Sequence, residues 1–465
     1  MGSFTIFRYC HFVKNTLPLQ PKIIKIRFIC KMRKLFCLLF FSMMMGSVQA
    51  AEPDTIGYQK FRFGGYGEMV ANFKDYGINR FYGHSEGNTK QNHNTISIPR
   101  FVLAFDYKFT PKWILGAEIE FEYGGTGTAY ELENTENGEY ETEVEKGGEV
   151  ALEQFHITRL VIPEFNIRAG HLIVPVGLTN EHHEPINFFG SSRPEGESTI
   201  IPCTWHETGI EFLGKFGKGY GTFDYEAMIV TGLNANGFDR NKWVRGGKQG
   251  LFEGDNSTSP AYVLRLNYTG IPGLRLGGAL YYCANTGANS DKLITYDEIG
   301  KIPVTIYSVD AQYVNKYVTA RANYLSGNIA HADQVGAKNG KLSNKSGYSR
   351  LTPIAKRAVS YNAEVGFNLK NIFGGGKHFP TIYPFAQYEY YNPQEKGEGM
   401  DIMDVRCQVS KWNFGLNWRA LPNLVIKADY TTRQIGTNKV FGKGVYNSEN
   451  EFGIGIAYIG WFFKK

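Results

Sequence analysis

The stretch WILGAEIEFEY, residues 113–123, separates two kinds of side chain by parity. One parity carries only apolar and aromatic residues, and the other carries Gly116, Glu118, Glu120 and Glu122. Successive side chains of a β-strand point to opposite faces. The stretch therefore predicts a strand with one apolar face and one acidic face.

The same two-residue period recurs along most of the chain. It is clearest in segments 222–229, 359–368, 411–419 and 424–431, whereas segments 151–162 and 166–175 are less regular. Segments of this kind number about 16, and an even number suits a closed antiparallel barrel. Long helical patterns and apolar runs long enough for a membrane helix are missing after residue 50.

The connections between these segments alternate in length. Short connections carry turn residues, as in Thr110-Pro111-Lys112 and Leu421-Pro422-Asn423. Long polar connections rich in Gly and Asn occupy residues 74–97, 124–150, 176–206, 232–260, 284–303, 326–358 and 437–449. Short turns at one end and long loops at the other are typical of outer-membrane barrels, whose short turns are periplasmic.

The fold class that follows is all-β: a transmembrane antiparallel β-barrel of about 16 strands. Backbone groups in a bilayer must be hydrogen-bonded within a ladder that has no edge, so the apolar parity faces lipid and the polar parity faces an aqueous lumen. Trp113, Trp418 and Trp461 fall near the short-turn ends, where an interfacial aromatic girdle is expected. The alternative is a secreted, soluble β-sandwich, which also alternates.

The first 50 residues predict export. Met32-Arg33-Lys34, the apolar run 35–45 and the small-residue exit Val48-Gln49-Ala50 resemble a secretory signal peptide that is cleaved near Ala50. Residues 1–31 precede this signal and are interpreted as an upstream extension. We predict a leader at 1–50 and a single barrel domain at 51–465, located in the outer membrane of a Gram-negative cell.

Charge and cysteine content exclude several classes of function. The leader holds 8 of the 50 Lys and Arg residues and none of the 44 Asp and Glu residues, so the remainder carries 42 minus 44, or −2. A nucleic-acid partner has no support from this charge. Cys203, Cys283 and Cys407 are widely separated, and we predict free thiols.

The polar parity supplies candidate pore-lining residues. Those that we single out are Arg62, Arg100, Glu118, Glu120, Arg265, Arg275, Arg321, Lys411 and Lys427. Acids and bases are nearly balanced over the whole predicted wall, and selectivity depends on the charges at the narrowest point. The sign of the preferred ion therefore stays open.

The connection from Gly177 to His206 is the predicted constriction. It is long, carries the apolar stretch Ile186-Asn187-Phe188-Phe189, and is stiffened by prolines, so we expect it to fold into the lumen. Its candidate functional residues, with the one that follows it, are Glu181, His182, His183, Glu184, Arg193, Trp205 and Glu207.

Three stretches resemble the phosphate-selective porin O and P family: AGHLIVPVG (169–177), RPEGESTIIPCTWHETGIEF (193–212) and YPFAQYEYYN (383–392). The resemblance extends loosely over residues 51–465. It implies a homotrimeric outer-membrane channel of 16 strands whose third outer loop narrows the pore and whose basic side chains guide anions such as phosphate. In this chain the loop is mostly acidic, as is the second outer loop, 124–150, which is either a solvated acidic loop or a site for divalent cations.

No cofactor, metal site or enzymatic activity is predicted. The adjacent His182 and His183 lack the i, i+4 spacing of a metal-binding helix, and neither a GxSxG elbow nor an HExxH motif is present. The predicted partners are the lipid bilayer, lipopolysaccharide and small hydrophilic solutes or inorganic ions. The predicted function is passive diffusion through a water-filled pore, with a sugar or peptide channel using Trp205, Tyr281, Tyr383 and Tyr391 as the alternative.

Overall fold

A computed structural model describes residues 60–76, 94–125, 128–134, 140–146, 148–249, 254–290, 294–341, 352–376, 378–398, 404–436 and 448–464. Sixteen strands within these ranges form a closed antiparallel barrel, which confirms the predicted fold class. The predicted leader, residues 1–50, lies outside the described residues.

The barrel strands follow one another around the wall in chain order. They are β1 (Phe61–Asp75), β2 (Asn94–Thr110), β3 (Trp113–Glu122), β6 (Glu149–Ile162), β7 (Phe165–Ile173), β8 (His206–Phe216), β9 (Phe223–Val230), β10 (Ala261–Tyr268), β11 (Leu274–Cys283), β12 (Val304–Val314), β13 (Val318–Ile329), β14 (Arg357–Phe367), β15 (Thr381–Lys396), β16 (Val409–Leu421), β17 (Leu424–Ile435) and β18 (Glu449–Lys464). Pairing of β1 with β18 closes the ring and leaves no free edge.

The acidic connection between β3 and β6 contains two further strands. Strands β4 (Thr128–Asn134) and β5 (Tyr140–Lys146) pair as a separate antiparallel hairpin. We predicted a polar, acidic loop here and assigned no strands to it. The alternation of Glu with Thr, Tyr, Leu and Val in these segments is a strand pattern, which the high charge of the region obscured.

The helices of the described residues are short. They are α1 (Leu178–Glu181), α2 (Glu195–Ile200), α3 (Ala332–Asn339) and α4 (Leu369–Ile372). Across the described part of the chain, no helix combines the length and apolar character that crossing a bilayer requires.

Strand β10 shows how the two faces of the wall differ. The side chains of Tyr262, Leu264 and Leu266 are exposed on the outer face, whereas Arg265 and Asn267 are fully buried on the inner face. Polar residues are thus inside and apolar residues outside, as the sequence predicted for a barrel in lipid. The closed ring rules out the sandwich alternative.

The two ends of the barrel are unequal, as predicted. The tight connections include the one between β16 and β17, while the connection between β7 and β8 spans residues 174–205. A hydrophobic core lies among the long connections, where Phe238, Trp243, Tyr296 and Val335 are buried together. This core gives the long-loop end a packed structure of its own.

Candidate functional site

The connection between β7 and β8 lies against inward-facing side chains of the barrel wall. We call residues 174–205 the inner loop. It extends the β7–β8 ladder by one hydrogen bond, in which Val174 N donates to the carbonyl of Trp205 at 2.8 Å. It then carries α1, a single 3-10 turn at Pro185–Asn187, and α2. Strands all around the wall contribute the side chains that hold it.

Strand β17 makes the densest of these attachments. The Lys427 ammonium donates to the carbonyl oxygens of Pro185, Phe188 and Gly190 at 2.5, 2.7 and 2.9 Å. Asp429 accepts hydrogen bonds from Ser191, at 2.5 Å from the backbone N and 2.8 Å from the hydroxyl. We call this set the β17 contact. All three ammonium hydrogens and both carboxylate oxygens have partners there.

Neighbouring strands extend the same attachment. Glu364 accepts a hydrogen bond from Phe189 N at 3.1 Å, and the Asn417 amide donates to the Phe189 carbonyl at 3.0 Å. A Cβ atom at Gly366 would overlap the ring of Phe189, so the absence of a side chain there lets the ring reach the wall. Glu389 accepts a hydrogen bond from Gly196 N at 2.6 Å.

Arginines hold the first part of the inner loop. Arg265 forms ion pairs with Glu181 and Asp310, each at 2.7 Å. Arg275 also pairs with Glu181, and its guanidinium lies 2.7 Å from the Nε2 atom of His182. These buried pairs compensate the charge of a loop acid that would otherwise be desolvated alone.

The inner loop is also braced internally by Glu197. Its carboxylate accepts hydrogen bonds from the backbone N atoms of Leu178, Thr179 and Asn180, at 2.8 to 3.0 Å. These are the first residues of α1, whose N–H groups have no partner within the helix. The Asn323 amide of β13 donates to the same carboxylate at 2.6 Å. Glu197 thus joins α1, α2 and the wall.

A polar cavity of about 310 Å³ lies between the inner loop and strands β1, β16, β17 and β18. We call it the outer chamber, because Lys74 and Tyr76 on its rim lead into the first long loop. Its charged lining consists of three bases and three acids: Lys74, Lys411, Arg433, Glu195, Asp429 and Glu451. The wall of the chamber is therefore nearly neutral.

Glu195 forms ion pairs with two of the three bases that line the chamber. Its carboxylate is 3.1 Å from Lys411 Nζ and 3.0 Å from Arg433 Nη2, and it accepts a hydrogen bond from the Tyr391 hydroxyl at 2.9 Å. Burial alone would raise the pKa of Glu195, but Arg433 and Lys411 hold it well below its ordinary value. Glu195 is therefore ionised at neutral pH.

Most of the predicted pore-lining residues contact the inner loop. Lys427, Lys411, Arg265 and Arg275 hold it as described above. Arg321 pairs with Glu364 and lies over the ring of Phe189.

Four of the predicted residues lie on the first three strands, and one of them, Arg100, donates to the His183 carbonyl of the inner loop at 2.7 Å. Glu118 accepts a hydrogen bond from Gln154, and Glu120 is buried on the same face. Arg62 stands apart from the loop, paired with Asp106 near the start of β1.

The predicted loop residues serve different roles. The Arg193 guanidinium donates to the His183 carbonyl at 3.2 Å, and Glu184 accepts from the Asn187 amide at 2.7 Å. Trp205 is fully buried, and its indole N–H donates to Glu207 at 2.8 Å.

The structure also shows contacts that the sequence did not single out. Glu153 is completely buried and lies 3.3 Å from His183 Nε2, and Tyr66 donates a hydrogen bond to the other Glu153 oxygen at 2.8 Å. The only sequence signal was the irregular alternation of segment 151–162. As predicted, Cys203, Cys283 and Cys407 form no disulfide among the described residues, and burial raises the pKa of the Cys203 thiol.

Comparisons with known proteins place this geometry in context. No protein-family model matches the chain. A protein of Aquifex aeolicus (strain VF5), described as an uncharacterized protein, is 26% identical over 359 residues, which cover 72% of this chain and 70% of that protein.

Solved structures resemble the chain in fold. The anion-selective porin from Comamonas acidovorans has a TM-score of 0.50 at 9% identity, covering 87% of this chain and all of that one. The Salmonella typhi OmpF complex with daunomycin has a TM-score of 0.51 at 12% identity, covering 86% of this chain and 98% of that one. At such identities the likeness establishes the fold, which is that of porin barrels.

Proposed function

We propose that this chain is an outer-membrane porin that lets small hydrophilic solutes and ions diffuse passively, without enzymatic turnover. The observation that carries the proposal is the division of the closed barrel into an apolar outer face and a charged inner face. A ring of sixteen strands encloses more space than its own side chains fill. The inner loop occupies part of that space and, in this proposal, narrows the pore.

The contacts of the inner loop favour a fixed constriction rather than a mobile gate. Its backbone is held by side chains of strands on several sides of the lumen, including Lys427, Asp429 and Arg100. Buried charge-assisted hydrogen bonds are stronger than neutral ones. The constriction therefore keeps its shape while solutes pass.

The lining of the outer chamber favours weak discrimination between ions. Lys411 and Arg433 both pair with Glu195, so the Glu195 charge offsets part of the positive potential that these bases would present to a passing anion. Anion preference, including phosphate, follows only from the family resemblance. The balanced lining supports small neutral or zwitterionic solutes and both signs of small ion.

A dedicated sugar or peptide channel has less support. Stacking channels need exposed aromatic faces, but Trp205 and Tyr281 are fully buried with ring centroids 4.6 Å apart. Of the four aromatic residues considered for this role, only Tyr391 points its hydroxyl at a charge of the outer chamber.

The location and assembly of the protein are part of the same proposal. The apolar outer face fits a lipid bilayer, and the long-loop end would meet lipopolysaccharide on the cell surface. The signal peptide would be removed after residue 50. The homotrimer that the family resemblance implies is tested by native mass spectrometry of the folded protein in detergent.

Planar-bilayer recording of the purified chain tests the function. We expect stable conductance steps in KCl, reversal potentials near zero in salt gradients, and no strong preference for phosphate over chloride. Steady permeation that is strongly phosphate-selective would contradict the balanced lining, and a folded barrel that gives no steps would contradict the porin proposal itself.

A further inference from the structure

A group of three potential metal ligands, two of them buried, joins the inner loop to the wall. One ligand atom from each of Glu118 on β3, Glu153 on β6 and His183 on the inner loop lies within 4.8 Å of the others. Glu153 has no exposed surface and His183 is 3% exposed. We call these three residues the carboxylate–histidine cluster.

A β-bulge turns Glu153 into the lumen. In the β3–β6 ladder, Glu118 lies opposite Gln154 and the next residue, Ile119, lies opposite Leu152, so Glu153 is the extra residue. A bulge changes the direction in which a side chain points. Val150 and Phe155, on either side of the bulge, are both exposed on the outer face although their parities differ. Glu153 and Gln154 therefore both face inward.

The histidine is oriented for ligation by its Nε2 atom. Its Nδ1 atom lies 3.2 Å from the Asn180 carbonyl oxygen, which can only accept, so Nδ1 carries the proton. The Nε2 atom then faces the Glu153 Oε1 atom, 3.3 Å away. Neither of these two buried atoms has a hydrogen-bond partner among the described residues. With Nε2 deprotonated, both atoms could bind one cation between them.

Each of the two carboxylates also accepts a hydrogen bond from a neighbouring side chain. The Gln154 amide donates to one oxygen of Glu118, and the Tyr66 hydroxyl donates to one oxygen of Glu153, both at 2.8 Å. Each of the three ligands is thus oriented by one hydrogen bond and keeps one atom for a metal. Supporting hydrogen bonds of this kind are typical of metal sites.

The charge around the cluster also favours a cation. Glu120, two residues from Glu118 on the same strand face, places another buried carboxylate nearby, and its Oε1 atom has no hydrogen-bond partner among the described residues. Arg100 pairs with Glu68, and Arg100 and Arg193 both donate to the His183 carbonyl, at 2.7 and 3.2 Å, so both guanidinium groups are directed at other acceptors. Several carboxylates buried together are costly without a compensating charge.

We propose that Glu118, Glu153 and His183 bind one divalent transition-metal cation, of which Zn²⁺ is the best fit, and that this cation fastens the inner loop to β3 and β6. An imidazole nitrogen with carboxylate oxygens suits Zn²⁺, whereas Ca²⁺ and Mg²⁺ prefer sets made of oxygen alone. The site is separate from the outer chamber and does not depend on the proposed transport function.

Zn²⁺ titration of the chelator-treated protein, folded in detergent, tests the site by calorimetry. We expect one saturable site in the protein with its native residues. Glu153→Gln keeps the shape of the side chain and should weaken Zn²⁺ binding by about 100-fold. Loss of a residue that only hydrogen-bonds to a metal ligand already weakens binding by about 10- to 100-fold, so loss of a ligand should reach the upper end of that range. Glu164→Gln, at the exposed turn between β6 and β7, should leave the affinity unchanged. Heat-modifiable gel mobility verifies that each variant is folded.

Two further measurements keep the test decisive if Glu153→Gln does not fold. Glu118→Gln should weaken the same site, and X-ray absorption of the one-equivalent Zn²⁺ complex should show one imidazole with oxygen ligands. In the unaltered protein, Zn²⁺ but not Ca²⁺ should slow amide hydrogen exchange in residues 178–183. Absence of a saturable site, unchanged affinity in both folded carboxylate variants, or unchanged exchange would each overturn the proposal.

Discussion

The β17 contact and the carboxylate–histidine cluster hold the same inner loop by different physical means. At the β17 contact, every hydrogen of the Lys427 ammonium reaches a carbonyl oxygen, and both Asp429 oxygens accept from Ser191. At the cluster, the facing atoms of Glu153 and His183 lack hydrogen-bond partners among the described residues. The first attachment is complete within the chain, whereas the second calls for a bound cation.

This difference separates permanent from conditional structure within one loop. Buried polar groups stabilise a fold when they are satisfied and weaken it when they are not. Residues 185–191 should therefore stay in place in any buffer, whereas residues 178–183 should respond to metal.

The largest effect is expected from Lys427→Met. The change removes three hydrogen bonds to the inner loop, worth about 1 kcal/mol each, and lowers the free energy of local opening by about 3 kcal/mol. Amide exchange of residues 185–191 should accelerate by roughly 100-fold, and single-channel conductance should rise as the loop loosens. Lys112→Met, at an exposed short turn, is the control. Unchanged exchange in folded Lys427→Met would contradict the role of the β17 contact.

Asp429→Asn should have the next largest effect. Two hydrogen bonds from Ser191 become neutral instead of charge-assisted, which costs about 2 kcal/mol. Exchange at the Ser191 amide, measured by mass spectrometry with residue-level fragmentation, should accelerate by roughly 30-fold. Asp224→Asn, on β9 and hydrogen-bonded to Asn267, is the matched control away from the loop. Equal acceleration in both variants would mean that the barrel, and not the contact, has loosened.

A smaller effect is expected from Tyr66→Phe at the other attachment. Loss of the hydroxyl that donates to Glu153 costs about 1 kcal/mol, so exchange in residues 178–183 should accelerate by roughly fivefold without metal. The same change should weaken Zn²⁺ binding by about tenfold. Tyr225→Phe, whose hydroxyl donates to a carbonyl at an exposed turn, is the control. Faster exchange at 185–191 instead would contradict the independence of the two attachments.

The smallest effect concerns Glu195→Gln in the outer chamber. Removing one negative charge about 6 Å from a passing ion changes its energy by about 0.7 kcal/mol in water, so relative anion permeability should rise roughly threefold. The pKa of Glu195 is held below its ordinary value of 4.5, so its ionised contacts persist above that pH and are lost only in stronger acid.

Reversal potentials in a KCl gradient measure this change and its pH dependence. The difference between Glu195→Gln and the unaltered protein should stay constant from pH 8 to pH 5, should persist at pH 4.5, and should shrink only in stronger acid. Glu164→Gln, outside the lumen, should match the unaltered protein. A difference that vanishes between pH 8 and pH 5 would show that Glu195 is already protonated there.

The barrel was predictable because the two-residue pattern of each strand can be recognised within a short stretch of sequence. In a stretch such as 113–123, parity alone assigns each side chain to lipid or lumen, and the structure confirms both the number of strands and the unequal ends. The prediction that the inner loop folds into the lumen rested on its length and its apolar stretch. The hairpin β4–β5 was missed because the high charge was taken as a sign of a solvated loop.

The contacts of the site were less predictable than the wall. Parity placed Lys427 and Glu118 inside, but it could not pair Lys427 with carbonyls about 240 residues earlier in the chain. Glu153 was missed for another reason. A bulge shifts the parity of β6, so a strict two-residue pattern assigns Glu153 to the wrong face or leaves the segment ambiguous.

The order of the strands along the chain has a consequence for biogenesis. The inner loop follows β7, but its β17 contact is supplied by one of the last strands to be made. Contacts between residues so far apart in sequence form late, because a long segment must first be closed. Residues 185–191 of the inner loop would therefore be secured by the β17 contact only when the final hairpin joins the sheet.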